Sequence, residues 1–384
     1  MKILLLGLGA QGKACLYDLL QNDDIDQVTV VERSYARAEE FTTNLNDARV
    51  SLIDIDANDK ESMIILFKKH DIVIDLLPTI FRKLTAEIAI ESETHLVNTS
   101  FQSHIKDLHN EAAEKGIMIM PEAGLDPGID LILAGNAIRK FDRVAEFHSA
   151  CGGIPAPEDC DNPINYKVSW TFEGVLSAYK RPANLIIDGN ILRIPGEKIF
   201  NYSEEIHIPG IGKFDRYPNG FASTYAKLLG ISDTVENMGR YTLRWPGHSD
   251  FWKKMSSLGL IDDEPVQGIS PKSYLSKVLG PKLQYKSNEK DMVVLRNEIY
   301  GIKDGKEAKV IQQLIDKRDL KTGFMAMNRT VGFTASIIAQ MILEGKIKGK
   351  GILNPGTDVP YDLFIKQLRI RGINIEEYKE DQDS

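Results

Sequence analysis

The first third of the chain alternates short apolar runs with stretches in which apolar residues return every three or four positions. Lys2–Leu6 (KILLL), Gln27–Val31 (QVTVV), 50–55, 71–77 (DIVIDLL), His95–Asn98 and 117–120 (IMIM) read as strands. Residues 11–20, 36–45, 60–69, 83–91 and 104–115 read as helices between them. Strands that alternate with helices predict a parallel sheet with helices on both faces. The apolar runs are continuous, as strands buried on both sides require. The expected fold class is therefore α/β, with a Rossmann-type doubly wound sheet at the N-terminus.

After Pro127 the pattern changes. Residues 130–141 look helical. Beyond them the β-rich segments AEFHSACGG, YKVSWTF, ANLIIDG, RYTLRW and DMVVLRNEIYG are separated by longer loops. They predict a second, mixed α/β domain with a largely antiparallel sheet. Helical spacing returns near Lys321, in GFTASIIAQMILEGKIKGKG and DLFIKQLRIRG, and the acidic end EEYKEDQDS reads as a frayed tail. The expected division is 1–128 for a dinucleotide-binding domain and 129–325 for a substrate-binding, dimer-forming domain. Residues 326–384 would be C-terminal helices packing back on the first.

Composition narrows the function classes. The chain has 384 residues, more than one ordinary core accommodates, and is 42% hydrophobic and 27% charged. Its 47 basic and 55 acidic residues leave a net charge of -8, which argues against nucleic acid as a partner. No apolar run has membrane-spanning length, and MKILLLGLGA is too short and glycine-broken for a signal peptide. Cys15, Cys151 and Cys160 form no disulfide framework and lack zinc-type spacing, so no metal is expected. A cytoplasmic location and a small-molecule partner are the corresponding expectations.

The segment LLLGLGAQGKACLYDLL sets Gly7, Gly9 and Gly12 between a strand and a helix. A dinucleotide cradle needs one glycine for the turn, one for close approach of the pyrophosphate and one for helix–strand packing. The helix start offers free N–H groups and a positive dipole end to phosphate, which brings in Ala10 and Gln11. Glu32 ends the second strand, where a carboxylate can accept both ribose hydroxyls. That favours NAD over NADP, although Arg33 and Ser34 follow and can hold a 2′-phosphate.

The carboxyl ends of the later strands face the ligand crevice of such a sheet. Leu77 and Pro78 follow the fourth strand, and Thr99, Ser100 and Phe101 the fifth. Glu122 and Asp126 follow the sixth. Asp126 lies in the turn-forming GLDPG, where it also suits a helix cap. Cys151 precedes two glycines in SACGGIPAPE, which let the backbone approach a ligand or another strand. Arg244 and His248 in LRWPGHSDF, with Tyr166, Lys167 and Trp170 in NYKVSW, suit a carboxylate site. A surface cation over a packed Trp fits the same pattern.

Taken together, GLDPGID, CGGIPAPEDCDNPINYKVSW, FDRYPNG, LRWPGH and MNRTVGFTASIIAQMILEGKIKGKGIL resemble the saccharopine dehydrogenase family over most of the chain. The L-glutamate-forming branch is the best match, and lysine 6-dehydrogenases are near neighbours. The resemblance implies an NAD(P)-dependent oxidoreductase acting on a C–N bond of a lysine-derived amino acid, saccharopine foremost. Lysine and carboxyalkyl polyamines are the alternative substrates, and a nucleotide-binding sensor without turnover is the non-enzymatic one. It implies catalytic roles for Asp126 and Cys151. Substrate would contact Ser100, Phe101, Gly152, Trp170 and Arg244. It further implies a homodimer and a nucleotide domain built from both ends of the chain. Two departures stand out: Phe101 replaces a Tyr, and Gly220 in YPNG replaces an Arg that would hold a substrate carboxylate.

Overall fold

The computed structural model describes residues 1–381. The chain forms two compact units. One is Met1–Ile132 with Asn328–Gly372, the other Leu133–Met327 with the chain from Ile373 onward.

In the first unit, β1 (Lys2–Leu6), β2 (Gln27–Val31), β3 (Val50–Ile53), β4 (Ile72–Asp75), β5 (His95–Asn98) and β6 (Met118–Met120) alternate with helices. Their order in the sheet is β3-β2-β1-β4-β5-β6, all parallel. This is the doubly wound arrangement that the alternation predicts. Ile3, Leu4, Leu5 and Leu6 are fully buried, so both faces of the central strand are covered. One face packs Leu4, Leu6 and Val73 against Met63, Phe67, Ile88 and Ala89. The fifth predicted helix forms only over His109–Glu114, preceded by two 3-10 turns.

In the second unit, β7 (Arg143–Pro155), β8 (Ala183–Ile187), β9 (Asn190–Ile194), β10 (Glu204–Ile208), β11 (Gly212–Pro218), β12 (Asn237–Arg244), β13 (Asp291–Lys303) and β14 (Lys306–Lys317) build one mixed sheet. Only the β7–β12 pair is parallel; the other pairings are antiparallel. The core packs Tyr166, Tyr179, Phe200, Phe214, Tyr217 and Trp252 with aliphatic residues of the sheet.

β15 (Gly351–Ile352) pairs with β6 and extends the first sheet. The helix Ala326–Leu343 approaches the glycine-loop helix at Gly332. A Cβ there would lie 2.5 Å from the Gln11 carbonyl oxygen, so only glycine permits this contact. Arg371, at the end of the helix Tyr361–Ile370, grips buried Asp18 through two bonds of 2.5 and 2.9 Å.

Two segments differ from their sequence-based reading. YKVSWTF is not a strand: Tyr166, Lys167, Val168 and Ser169 are all buried without alternation, and a helix begins at Phe172. Side chains and single bonds replace a ladder there; Asn162 Nδ2 donates to the Tyr166 carbonyl and Val168 N–H to the Leu283 carbonyl. Lys167 sits between Asp161 and Glu289, 2.7 Å from each. The acidic stretch expected to fray is β16 (Ile375–Asp381), an antiparallel edge strand on β14. Main-chain bonds hold an edge strand without an apolar face, which is why its charge hid it. Residues 382–384 of that stretch lie outside the described residues.

Candidate active site

The glycine loop carries three different constraints. Gly7 has φ +88°, a left-handed conformation that side chains disfavour. A Cβ on Gly12 would lie 2.1 Å from the Gly7 carbonyl oxygen. A Cβ on Gly9 would meet nothing within 4 Å. Packing therefore demands Gly7 and Gly12, whereas Gly9 borders open space, where a phosphate would approach. Gly9 and Ala10 are exposed and Gln11 half-buried at the start of the helix Ala10–Leu19, and no side chain caps that end. These residues fit a dinucleotide.

Glu32 is placed as expected but otherwise engaged. Its Oε2 accepts the Leu8 N–H and its Oε1 the Ser34 N–H, each at 2.8 Å. The carboxylate thus shapes the loop and the turn after β2, and each of its oxygens keeps a further lone pair. Arg33 and Ser34, both exposed, follow at once.

The other strand ends of this unit converge. Leu76 and Leu77 lie against Gly7. Pro78 is exposed. Half-buried Thr99 packs on Gly124 of the GLDPG turn, which holds half-buried Asp126 at its tip. Gly128 is required in that turn because a Cβ would lie 2.1 Å from the Gly124 carbonyl oxygen. Ser100 and Phe101 are fixed through their carbonyls, which accept from Glu122 N–H at 3.0 Å and Arg82 Nη1 at 3.2 Å.

The sequence reading missed Asp75 and Arg82. Asp75 takes the Thr85 hydroxyl and the Leu77 N–H, and burial pushes its pKa up. Arg82 is buried with Asp75 and Glu122 as charge partners. An acid closing the apolar run DIVID was the available signal.

The second unit supplies a separate group. Register pairs Thr242 with Cys151, so Cys151, Thr242 and Arg244 share one face of the sheet. Gly152 lets β12 come close: a Cβ there would lie 2.5 Å from the Leu243 carbonyl oxygen. Cys151 is buried and outside any disulfide.

Arg244 is 8% exposed, and no described carboxylate pairs with it. Its Nη1 donates to the Leu243 carbonyl at 2.8 Å, its Nε has no partner, and its Cζ lies 5.2 Å from the Tyr166 ring centre. Tyr179 and Tyr217 are its other phenol neighbours. Burial drives the Tyr166 pKa up to about 12, so this phenol is neutral. The Tyr166 hydroxyl and Ser169 Oγ are buried and unpartnered as well. A buried cation amid neutral, unsatisfied donors is suited to an anion. Trp170, in contrast, is 43% exposed, and its ring covers Gly174.

Gly220 has φ +77° and nothing within 4 Å of a Cβ position, so its turn is built for glycine. Among the described residues there is no cluster of metal-binding side chains, and no helix is long and apolar enough to cross a membrane.

Comparison with known proteins bears on both groups of residues. The saccharopine dehydrogenase C-terminal domain model matches residues 124–373, and the saccharopine dehydrogenase NADP binding domain model matches residues 3–120. The chain belongs to the saccharopine dehydrogenase family. It is 30% identical to the NADP(+), L-glutamate-forming saccharopine dehydrogenase of Saccharomyces cerevisiae, over 98% of both chains. It is also 30% identical to the mitochondrial alpha-aminoadipic semialdehyde synthase of Bos taurus, spanning 97% of this chain and 47% of that protein. The structure of the apo yeast saccharopine dehydrogenase superposes with a TM-score of 0.87 at 28% identity, covering 99% of each chain.

Proposed function

We propose that the protein is an NADP-dependent, L-glutamate-forming saccharopine dehydrogenase. The observation that carries the substrate half of this reading is Arg244, a buried guanidinium with no carboxylate partner. Saccharopine carries three carboxylates, and one would complete the site. NADP is favoured over NAD because Arg33 and Ser34 stand exposed beside Glu32, where they can hold a 2′-phosphate.

When bound, NADP would supply the hydride acceptor or donor for the substrate carbon that carries the secondary amine. The chain's part is placement and charge. The Gly7–Gly12 loop and its helix end hold the pyrophosphate. Leu77, Pro78 and Thr99 line the nicotinamide side. Asp126 binds the substrate amine, stabilises the cationic imine state by its charge and relays the amine proton. Cys151 contacts substrate or moves a proton on the face it shares with Arg244, and Arg244 fixes a carboxylate. Water adds to the imine in the oxidative direction, and collapse releases glutamate and the semialdehyde.

The test is product identification. With NADPH, glutamate and aminoadipate semialdehyde, mass spectrometry should detect saccharopine, and omitting glutamate should abolish it. Gly220 favours one alternative, because a cation is missing there and lysine has a single carboxylate. NADP reduction with lysine alone would support that reading instead.

The protein would act as a cytoplasmic homodimer, with its three cysteines outside disulfides. One sheet face carries Glu146, Arg296, Glu298, Tyr300 and Lys309, intermixing both signs as a two-fold contact requires. Light scattering should return twice the 43.0 kDa chain mass.

A further inference from the structure

Arg244 is oriented by a chain of neutral groups drawn from separate segments. Tyr179, which follows the helix Phe172–Ala178, is a neighbour of the guanidinium. The Tyr179 hydroxyl lies 2.7 Å from His248 Nε2. A guanidinium only donates, so the side of Tyr179 suited to Arg244 is its oxygen lone pairs, and the phenol proton goes to His248 Nε2. His248 must then leave Nε2 unprotonated. Its environment enforces this: the ring is 1% exposed, and burial and the nearby Arg244 charge both push its pKa well below the usual value. The Ile164 carbonyl faces Nδ1 without closing a well-formed bond. Edge-on contacts with Tyr166 at 5.3 Å and Tyr179 at 5.6 Å, and a tilted one with Trp252 at 6.2 Å, keep the imidazole in place.

We propose that Tyr179 and His248 are positioning residues that aim Arg244 while leaving its charge uncompensated, so that a substrate carboxylate is the first anion it meets. A carboxylate in place of Tyr179 would orient the guanidinium equally well. It would also cancel the charge, and an incoming anion would then have to displace it. A phenol backed by a neutral imidazole supplies the acceptor without the charge. The proposal rests on reading Arg244 as the carboxylate site.

The test separates the two ideas by measuring binding without turnover. Glutarate, a dicarboxylate that cannot react, is titrated calorimetrically into the protein at saturating NADP(+). Wild type should bind it, and Arg244→Met should bind it at least about 30-fold more weakly. His248→Leu, which removes the acceptor, should weaken binding about tenfold, the scale of one net hydrogen bond. His248→Gln retains an acceptor and should stay within about threefold of wild type by the same scale. The Kd for NADP(+) should be unchanged in all variants. In the Arg244→Met background, measured at high glutarate, His248→Leu should cause no further loss. No glutarate binding by wild type, equal losses for the Leu and Gln variants, or additive losses in the double variant would each overturn the proposal. Saccharopine turnover by wild type is read in parallel. Arg244-dependent glutarate binding without turnover would leave this inference standing and remove the substrate reading.

Discussion

Replacing Arg244 by methionine should weaken substrate binding without destabilising the protein. The side chain is buried, its Nε is unsatisfied, and no described carboxylate forms an ion pair with it. A substrate carboxylate would gain one or two charge-assisted bonds there, together about 2–4 kcal/mol. Their loss corresponds to an increase of about 30- to 900-fold in the Kd for saccharopine. Stability should change little. The variant gives up a cation–π contact with Tyr166, on the order of 0.5–2 kcal/mol, and the Nη1 bond to the Leu243 carbonyl, about 1.5–3 kcal/mol. It also removes a buried charge without a carboxylate partner, and apolar replacement of buried ionic groups is often neutral or stabilising by about 1–4 kcal/mol. The unliganded Tm should therefore stay within a few degrees of wild type, at about 2–4 °C per kcal/mol for a domain of this size. Calorimetric titration with saccharopine and differential scanning calorimetry read both quantities. Affinity within about threefold of wild type, well below the expected loss, would refute the reasoning. A clear fall in Tm would show that Arg244 is a structural residue.

Other outcomes follow from the same geometry. Gly9→Ala should leave Tm unchanged but abolish NADPH binding, because its Cβ meets only open space, whereas Gly12→Ala should cost stability, about 1–3 kcal/mol or more, from its 2.1 Å clash; thermal melts with and without NADPH separate the two. Asp126→Asn should cut turnover strongly with the NADPH Kd intact, and equal turnover would reduce Asp126 to a turn former. Asp291 accepts the Ala326 and Met327 N–H groups at 2.7 and 3.1 Å, and burial raises its pKa to about 6. Since the native state holds that proton more tightly than the unfolded chain, its contribution to stability is present in acid. It is lost as the pH rises from about 4 through 6, on the order of 3 kcal/mol. Asp291→Asn should flatten that part of the stability–pH curve, and a parallel curve would rule out the assignment.

Local pattern carried much of the fold. Six of the seven strands of the first sheet are read within one or two residues, because buried parallel strands write themselves as unbroken apolar runs such as KILLL and QVTVV. The three glycines were legible as well: Gly7 and Gly12 answer local steric demands, and Gly9 leaves the space beside the loop open. What stayed hidden depends on distant pairing. β16 has the composition of a solvated tail, and its place is set by main-chain bonds to β14. YKVSWTF has β-type residues, yet all of its first four are buried in an irregular segment held by Asn162, Asp161, Glu289 and the Leu283 carbonyl. Glu32 was found in position, but its bonds to Leu8 and Ser34 arise only once the loop is folded. The Arg244 surroundings come from residues 166, 179, 217 and 248, a set that no spacing rule gathers.

The most direct test of the account compares saccharopine with lysine in the oxidative direction, using one preparation and NADP(+). Coenzyme reduction should occur with saccharopine and release glutamate, with lysine giving no rate above background. Reduction with lysine, and none with saccharopine, would contradict the substrate reading and make Gly220 the residue that marks the narrower site.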